Sequence, residues 1–412
     1  MKIIDVLLTK SYTGFYFDDQ KAIKKGATLD GILYVGEPLT PSFEKIRVPG
    51  EAISIQLVLD DGSVALGDCA AVQYSGAGGR DPLFLADRYI PFMETYIKPY
   101  LLGKEITTFK EMASDFDAFK INGERLHTAI RYGVSQALLS AVAHKEKITM
   151  AEVIRNEYNP ELKTITSIPV FAQSGDDRYN NVDKMILKEI ESLPHALINN
   201  VEEKLGLQGE KLIAYIKWLK NRIVTQRIND DYHPIIHIDV YGTIGIAFDL
   251  DINKMAAYFR ELETTTHPFK LRIEGPVDAG SRKETMEIMK TLREKLREDG
   301  TQVEIVADEW CNTLDDVKYF ADHQAADVIQ IKTPDLGGLH NVAEAILYCK
   351  EKGIGAYCGG TCNETNISTM SSVHVALGAG ADVCLAKPGM DVDSGYMITK
   401  NEMERAVILA KR

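Results

Sequence analysis

The chain has little of what builds a stapled or metal-clipped protein. Six cysteines in 412 residues (Cys69, Cys311, Cys349, Cys358, Cys362 and Cys384) are scattered through segments that read as core. That usage excludes a disulfide framework and leads us to expect reduced thiols in a cytoplasmic protein. Cys358 and Cys362 are the nearest pair, and without a second pair they do not make a structural zinc site. No apolar run approaches the roughly 20 residues of a membrane span. No leader is expected either, because Met1-Lys-Ile-Ile-Asp-Val reads as a first strand. Basic clusters are missing, and the net charge is −13, which excludes nucleic acid or an anionic membrane as the main partner. Ser75-Gly-Ala-Gly-Gly79 lacks the Gly-Lys-Ser/Thr of a P-loop and the full G-x-G-x-x-G. It reads equally as a plain turn or as a loop over a site.

What is present is an ordinary globular composition, 45% hydrophobic and 26% charged. A chain of 412 residues exceeds one compact core, so two domains are expected, without a low-complexity linker between them. Residues 1–160 read as α+β. Ile53-Ser-Ile-Gln-Leu-Val-Leu59 alternates, Asp60-Asp-Gly62 turns, and Val64 to Cys69 returns, which is a hairpin signal. Helical spacing follows over Leu83–Leu101 and over Glu124–Ala143, the second with Leu126, Ile130, Val134, Ala137 and Leu138 on one stripe. Residues 161–412 alternate short strands with amphipathic helices. Strand ends fall near Gln173, Asn199, Asp239, Glu274, Asp308, Lys332, Gly359 and Lys387. Between them, Leu212, Ile216, Leu219 and Ile223 form a helical stripe, and Thr313 with Asp316 resembles a capping box. Eight such units favour a closed α/β barrel, a (β/α)8-type fold, with its mouth covered by the first domain.

Four of these strands end on a charge. Asp239, Glu274 and Asp308 are spaced by 35 and 34 positions, and Lys332 follows 24 further on. That is the spacing of successive βα units, whose C-terminal strand ends converge on one site. A charge at one strand end is ordinarily a solvated loop residue; three carboxylates and an amine in sequence look like a hard-metal site beside a base. By period-two alternation Gln330 and Lys332 share a face, as do Arg272 and Glu274. Asp308 and Glu309 point apart if their strand stays regular, so only one faces the centre. Lys387-Pro-Gly389 reads as the end of the last strand.

Longer motifs carry a resemblance. They include Phe15-Tyr-Phe-Asp-Asp-Gln20, the stretch Asp68–Asp81, Gln173-Ser-Gly-Asp-Asp-Arg178 and Pro194-His-Ala-Leu-Ile-Asn-Asn-Val-Glu-Glu203. Others are His237-Ile-Asp-Val-Tyr-Gly-Thr243, Ala307-Asp-Glu-Trp-Cys-Asn312, Gln330-Ile-Lys-Thr-Pro-Asp-Leu-Gly-Gly338 and Gly359-Gly-Thr-Cys-Asn-Glu-Thr365. Together they resemble the methylaspartate ammonia-lyase family of the enolase superfamily. The resemblance implies an α+β capping domain before a modified barrel. It also implies reversible elimination of ammonia from (2S,3S)-3-methylaspartate to mesaconate, a step of amino-acid degradation. It places Mg²⁺ on Asp239, Glu274 and Asp308, with Lys332 as the base and His195 as a second catalytic group. Gln173, Gln330, Thr361 and Cys362 match the family's substrate-binding positions. A homodimer and a K⁺ activator are implied by the same likeness. To act as a base Lys332 must be neutral, and a nearby cation and desolvation are expected to lower its pKa.

Two rival readings are a racemase or epimerase of the same superfamily and a barrel kept only for binding. The first usually needs a Lys-x-Lys pair on the second strand or a His-Asp dyad on later ones; strand two here offers His195 and no lysine pair. Against the second, a binding barrel has no need of three ligands and a base.

Overall fold

A computed structural model describes residues 1–77 and 79–412. Gly78, inside the glycine-rich Ser75–Gly79 stretch, lies outside the described residues.

Eight parallel strands close into a barrel in chain order. They are Val170–Phe171, Ser192–His195, Ile235–Asp239, Leu271–Glu274, Glu304–Ala307, Val328–Ile331, Gly355–Cys358 and Val383–Leu385, numbered one to eight below. A helix follows each strand, ending with Val392–Leu409. The Thr313–Asp316 capping box starts the helix after strand five, and the Leu212 to Ile223 stripe is buried on the helix Glu210–Gln226. Phe171, Val306, Val328, Tyr357, Val383 and Leu385 fill the barrel's interior. His237 lies among them, stacked on Phe171 with ring centroids 4.1 Å apart. Six buried cysteines are free thiols, and among the described residues no helix is long and apolar enough to cross a membrane.

The first part of the chain is a three-stranded antiparallel sheet, Ile3–Asp18, Arg47–Leu59 and Val64–Ala70, with the expected Ile53–Cys69 hairpin formed by its central strand and one edge strand. The helix Thr128–Glu146 lies directly on this sheet. Its close approach requires two glycines: a Cβ on Gly67 would come within 2.1 Å of the Gly133 carbonyl, and one on Gly133 within 2.4 Å of the Cys69 nitrogen.

One expectation needs correction. The helix expected from Glu124 begins at Thr128. Glu124–Arg125 instead pairs with Lys120–Ile121 across Asn122-Gly123, two left-handed residues that suit a tight hairpin. His127 caps the helix, its Nδ1 accepting the Ala129 N–H at 3.1 Å. The segment Leu83–Leu101 is helical from Ala86 onward, as expected, with a π-helical turn at Met93–Ile97 between Ala86–Phe92 and Lys98–Leu101.

The Thr128–Glu146 helix also docks on the barrel. The Leu339 N–H donates to Ser135 Oγ at 2.9 Å, and Arg131 reaches the Leu336 carbonyl at 3.4 Å. Beside them His340 is buried, 4.0 Å from Asp117. Burial pulls its imidazole down to about 4 despite that carboxylate. The folded pKa therefore lies below the unfolded value near 6.5. As pH falls from about 6.5 to 4 the unfolded chain gains a proton that the folded chain refuses, so stability is lost across that window. The shift corresponds to about 3 kcal/mol at most. We expect His340→Gln to flatten the fall of Tm between pH 6.5 and 4.5; parallel profiles for variant and wild type would contradict this.

Candidate active site

Strands three and four run in register, so Asp239 pairs directly with Glu274 at their C-terminal ends. Asp308 follows strand five and Lys332 follows strand six at once. One oxygen from each of the three carboxylates lies within 4.8 Å of the others, and all three residues are buried. It is the one such cluster of His, Cys, Asp and Glu among the described residues. Two anions 4.8 Å apart repel by roughly 3 kcal/mol at an effective dielectric near 20. Burial, and then Asp239 and Asp308, push the Glu274 carboxyl well above its ordinary range. Glu274 is also clasped from below. His237 Nε2 meets Oε2 at 2.8 Å and Gln330 Nε2 donates to Oε1 at 2.7 Å. The Tyr241 N–H donates to Asp239 Oδ1 at 3.1 Å.

The two candidate acid–base groups stand on either side of this cluster. Lys332 Nζ is 2.8 Å from Asp308 Oδ1, and His195 Nε2 is 3.3 Å from Asp239 Oδ2. Burial pulls the Lys332 ammonium down, but Asp308, with Glu309 and Asp335, outweighs it against Arg80, so its pKa stands above the ordinary lysine value. This reverses the expected direction, because Asp308 Oδ1 lies against the ammonium and favours its charged form. His195 opens a run of three left-handed residues, His195, Ala196 and Leu197, with φ of 70°, 69° and 52°. Non-glycine residues adopt that region at a cost of about 1 kcal/mol or more each, a strain typical of functional turns. Among the described residues, His195 Nδ1 has no hydrogen-bond partner.

Of the nine residues singled out from sequence, eight line one cavity, and Glu274 lies fully buried in the cluster with Asp239 and Asp308. Gln173 and Cys362 sit on the wall, Gln173 donating to the Gly389 carbonyl at 3.3 Å. The Cys362 thiol, pushed up to about 12 by burial, donates to Gln73 Oε1 at 3.3 Å. Thr361 stands beside it with its hydroxyl accepting the Asn363 N–H at 3.3 Å. Asp308 and Glu309 both reach the cavity, contrary to the alternation argument, because strand five ends at Ala307.

Sequence reasoning missed the residues that the capping domain supplies. Gln20, Val72, Gln73, Tyr74 and Arg80 close the cavity from above. Gln73 is held by Asp18, which accepts its Nε2 at 2.7 Å and is itself paired with Arg47. The Ser75–Gly79 stretch leads into Arg80, whose Nε meets Asp335 at 2.9 Å and whose Nη2 meets Asn312 at 3.2 Å. These residues fall inside the quoted motifs, yet no periodicity marks them; only tertiary approach brings them to the barrel.

The donor set is all hard oxygen and fits a divalent cation of the Mg²⁺ type. Four carboxylates, counting Glu309, face only Lys332 and Arg80 as cations. Such an arrangement can neutralise charge growing on a substrate carboxylate while a neighbouring amine moves a proton. Fold and site thus define a capped α/β-barrel protein with a hard-oxygen cluster beside an amine. Family models make the assignment sharper. The methylaspartate ammonia-lyase N-terminus model matches residues 1–159 and the C-terminus model matches 163–412. Methylaspartate ammonia-lyase of Clostridium tetanomorphum is 62% identical over 100% of both chains. A crystal structure of β-methylaspartase from that organism, a Mg complex, superposes with a TM-score of 0.98 over 100% of both chains. The Citrobacter amalonaticus enzyme is 53% identical over 99% of both chains. Its crystal structure, containing (2S,3S)-3-methylaspartic acid, gives a TM-score of 0.98 at 52% identity over 100% of both chains. An L-Ala-D/L-Glu epimerase from Bacillus subtilis shares the fold alone, at 16% identity and a TM-score of 0.65 over 96% of this chain and 91% of its own. The chain belongs to the methylaspartate ammonia-lyase family and is a carbon–nitrogen lyase.

The carboxylate cluster predicts a thermal-shift result. Mg²⁺ should raise the Tm of the wild type, and Asp239→Asn, Glu274→Gln or Asp308→Asn should each remove most of that rise. An undiminished rise in all three would place the cation elsewhere.

Proposed function

We propose that this protein eliminates ammonia reversibly from (2S,3S)-3-methylaspartate to give mesaconate, with Mg²⁺ held by Asp239, Glu274 and Asp308. The observation that carries the reading is the cluster of three carboxylates between Lys332 and His195. When bound, the cation supplies Lewis-acid neutralisation of the substrate carboxylate next to C3.

Lys332 takes the C3 proton. The electron pair left at C3 spreads onto the adjacent carboxylate and then forms the C2–C3 double bond as the C2–N bond breaks. Ammonia departs with the electrons of that bond. Lys332 must start neutral. A cation held by Asp308 would offset the largest influence that raises the lysine pKa, leaving burial and Arg80 to pull it down against Glu309 and Asp335. The Gln330 amide nitrogen is committed to Glu274, so its partnerless Oε1 is left to accept an N–H from the substrate ammonium. Gln173, Thr361 and Cys362 line the opposite wall and suit the second carboxylate. His195 comes from strand two and Lys332 from strand six, so they meet opposite faces of a bound substrate. His195 then serves the C3 epimer and helps to stabilise charge on the main route.

The reading takes 1–160 as the capping domain and 161–412 as the catalytic barrel. It also takes in K⁺ as a monovalent activator and a homodimer. For the dimer, the Thr28–Val35 hairpin exposes Leu29, Ile32, Leu33 and Val35, apolar side chains distributed over both its faces that a second copy would cover.

The test is proton exchange at C3 in deuterated solvent. Lys332→Ala should lower both exchange and ammonia release by about 10²–10⁴-fold, and Lys332→Arg should do little better because a guanidinium stays protonated. Wild-type exchange in the alanine variant would move the base elsewhere. His195→Ala should suppress the minor (2S,3R) reaction more than the main one. Initial rates on each diastereomer check this, and equal fractional losses would leave His195 a general electrostatic role.

A further inference from the structure

We propose that the buried ion pair of Lys387 and Glu364 is a positioning unit for the Gly359–Cys362 loop. It presets Thr361 and Cys362 for a substrate carboxylate without touching substrate. The proposal rests on the carboxylate-binding role given to those two residues above.

Lys387 lies just past the last barrel strand and Glu364 six residues past strand seven. Both are fully buried. Neither lines the active-site cavity, whereas Gly360, Thr361 and Cys362 do. An ammonium carries three donors, and all three are used here. Lys387 Nζ donates to Thr333 Oγ1 at 2.9 Å, the Gly359 carbonyl at 2.8 Å and Glu364 Oε1 at 2.8 Å. The carboxylate is equally committed. Oε1 also accepts the Thr361 N–H at 3.2 Å, and Oε2 accepts Tyr132 OH at 2.7 Å and Ser368 Oγ at 3.0 Å.

Each partner belongs to a different part of the mouth. Thr333 directly follows Lys332, Gly359 directly follows strand seven, and Tyr132 comes from the capping domain's helix. Two hydrogen bonds, to the Gly359 carbonyl and from the Thr361 N–H, grip the loop's backbone on either side of Gly360. Gly360 is drawn so tightly onto the pair that a Cβ there would stand 2.3 Å from Glu364 Oε1 and 2.4 Å from Lys387 Nζ, at a φ of +152°. Two apolar side chains would fill the same space but would leave those backbone groups without partners. A fully satisfied buried ion pair contributes direction more than stability, and direction is what a loop that binds a small dicarboxylate requires.

Glu364→Gln keeps the shape and removes the charge. Its KM for (2S,3S)-3-methylaspartate should rise at least threefold while the Mg²⁺ Kd stays within twofold of wild type. Hydrogen exchange over 359–363 should quicken in the same variant. If that protein does not fold, Gly360→Ala wedges the pair apart locally and is held to the same thresholds. A KM rise below threefold in a folded variant overturns the proposal. So does a matching loss of Mg²⁺ affinity, which would report general slackening of the barrel mouth. Thr361→Ala, measured alongside, separates two failures. If it raises KM while Glu364→Gln does not, positioning fails and the carboxylate assignment stands. If neither raises KM, the carboxylate assignment itself has failed.

Discussion

Repulsion among three buried carboxylates organises this molecule. Asp239, Glu274 and Asp308 bring oxygens within 4.8 Å in a site with little water access. Anions so placed repel, and the surrounding structure shows how that is managed. Lys332 leans on Asp308, His195 on Asp239, and His237 with Gln330 on Glu274. Each of these contacts blunts the repulsion without cancelling it. Under the proposed function, a divalent cation there would cancel most of it and take up charge from a substrate carboxylate. Partners of this kind orient metal ligands as well as shielding them.

The barrel accounts for the convergence and the cap for the enclosure. Parallel strands in register put Asp239 beside Glu274, and the next two strand ends add Asp308 and Lys332. Gln73, Tyr74 and Arg80, each from the first domain, line the upper side of the cavity. Arg80 is bonded to Asp335 and Asn312 in the loops after strands six and five, and Gln73 to Asp18 of the first strand. Arg80's two contacts thus join cap to barrel at the cavity itself, so the packing of the cap there sets the shape of the site.

How far the site was legible follows from this division. The barrel's chemistry was readable because a strand end is local: β-branched runs closing on a charge, at crossover spacing, mark Asp239, Glu274, Asp308 and Lys332 without any structure. His195, Gln173, Thr361 and Cys362 carried no such pattern and were named through family resemblance. Arg80, Gln73 and Glu309 were missed for physical reasons. The first two arrive by tertiary approach across two domains, and Glu309 reaches the cavity because its strand ends two residues earlier than strict alternation assumed. Lys387 was read as a strand terminator. It does follow the last strand, but its burial against Glu364, 23 positions upstream, is a long-range fact that spacing does not encode. The helix boundary at Thr128 was misplaced because the helical stripe of Leu126 and Ile130 was weighted above the Asn122-Gly123 turn.

The central claim is that the carboxylate cluster works with a bound divalent cation to make the C3 proton removable. The most direct measurement follows the ultraviolet absorbance of the new conjugated double bond on (2S,3S)-3-methylaspartate, with ammonia assayed in parallel. Chelator-treated protein should be inactive, and Mg²⁺, with K⁺ present throughout, should restore both signals together. Full activity of the chelated protein, with no divalent metal added, would contradict the account.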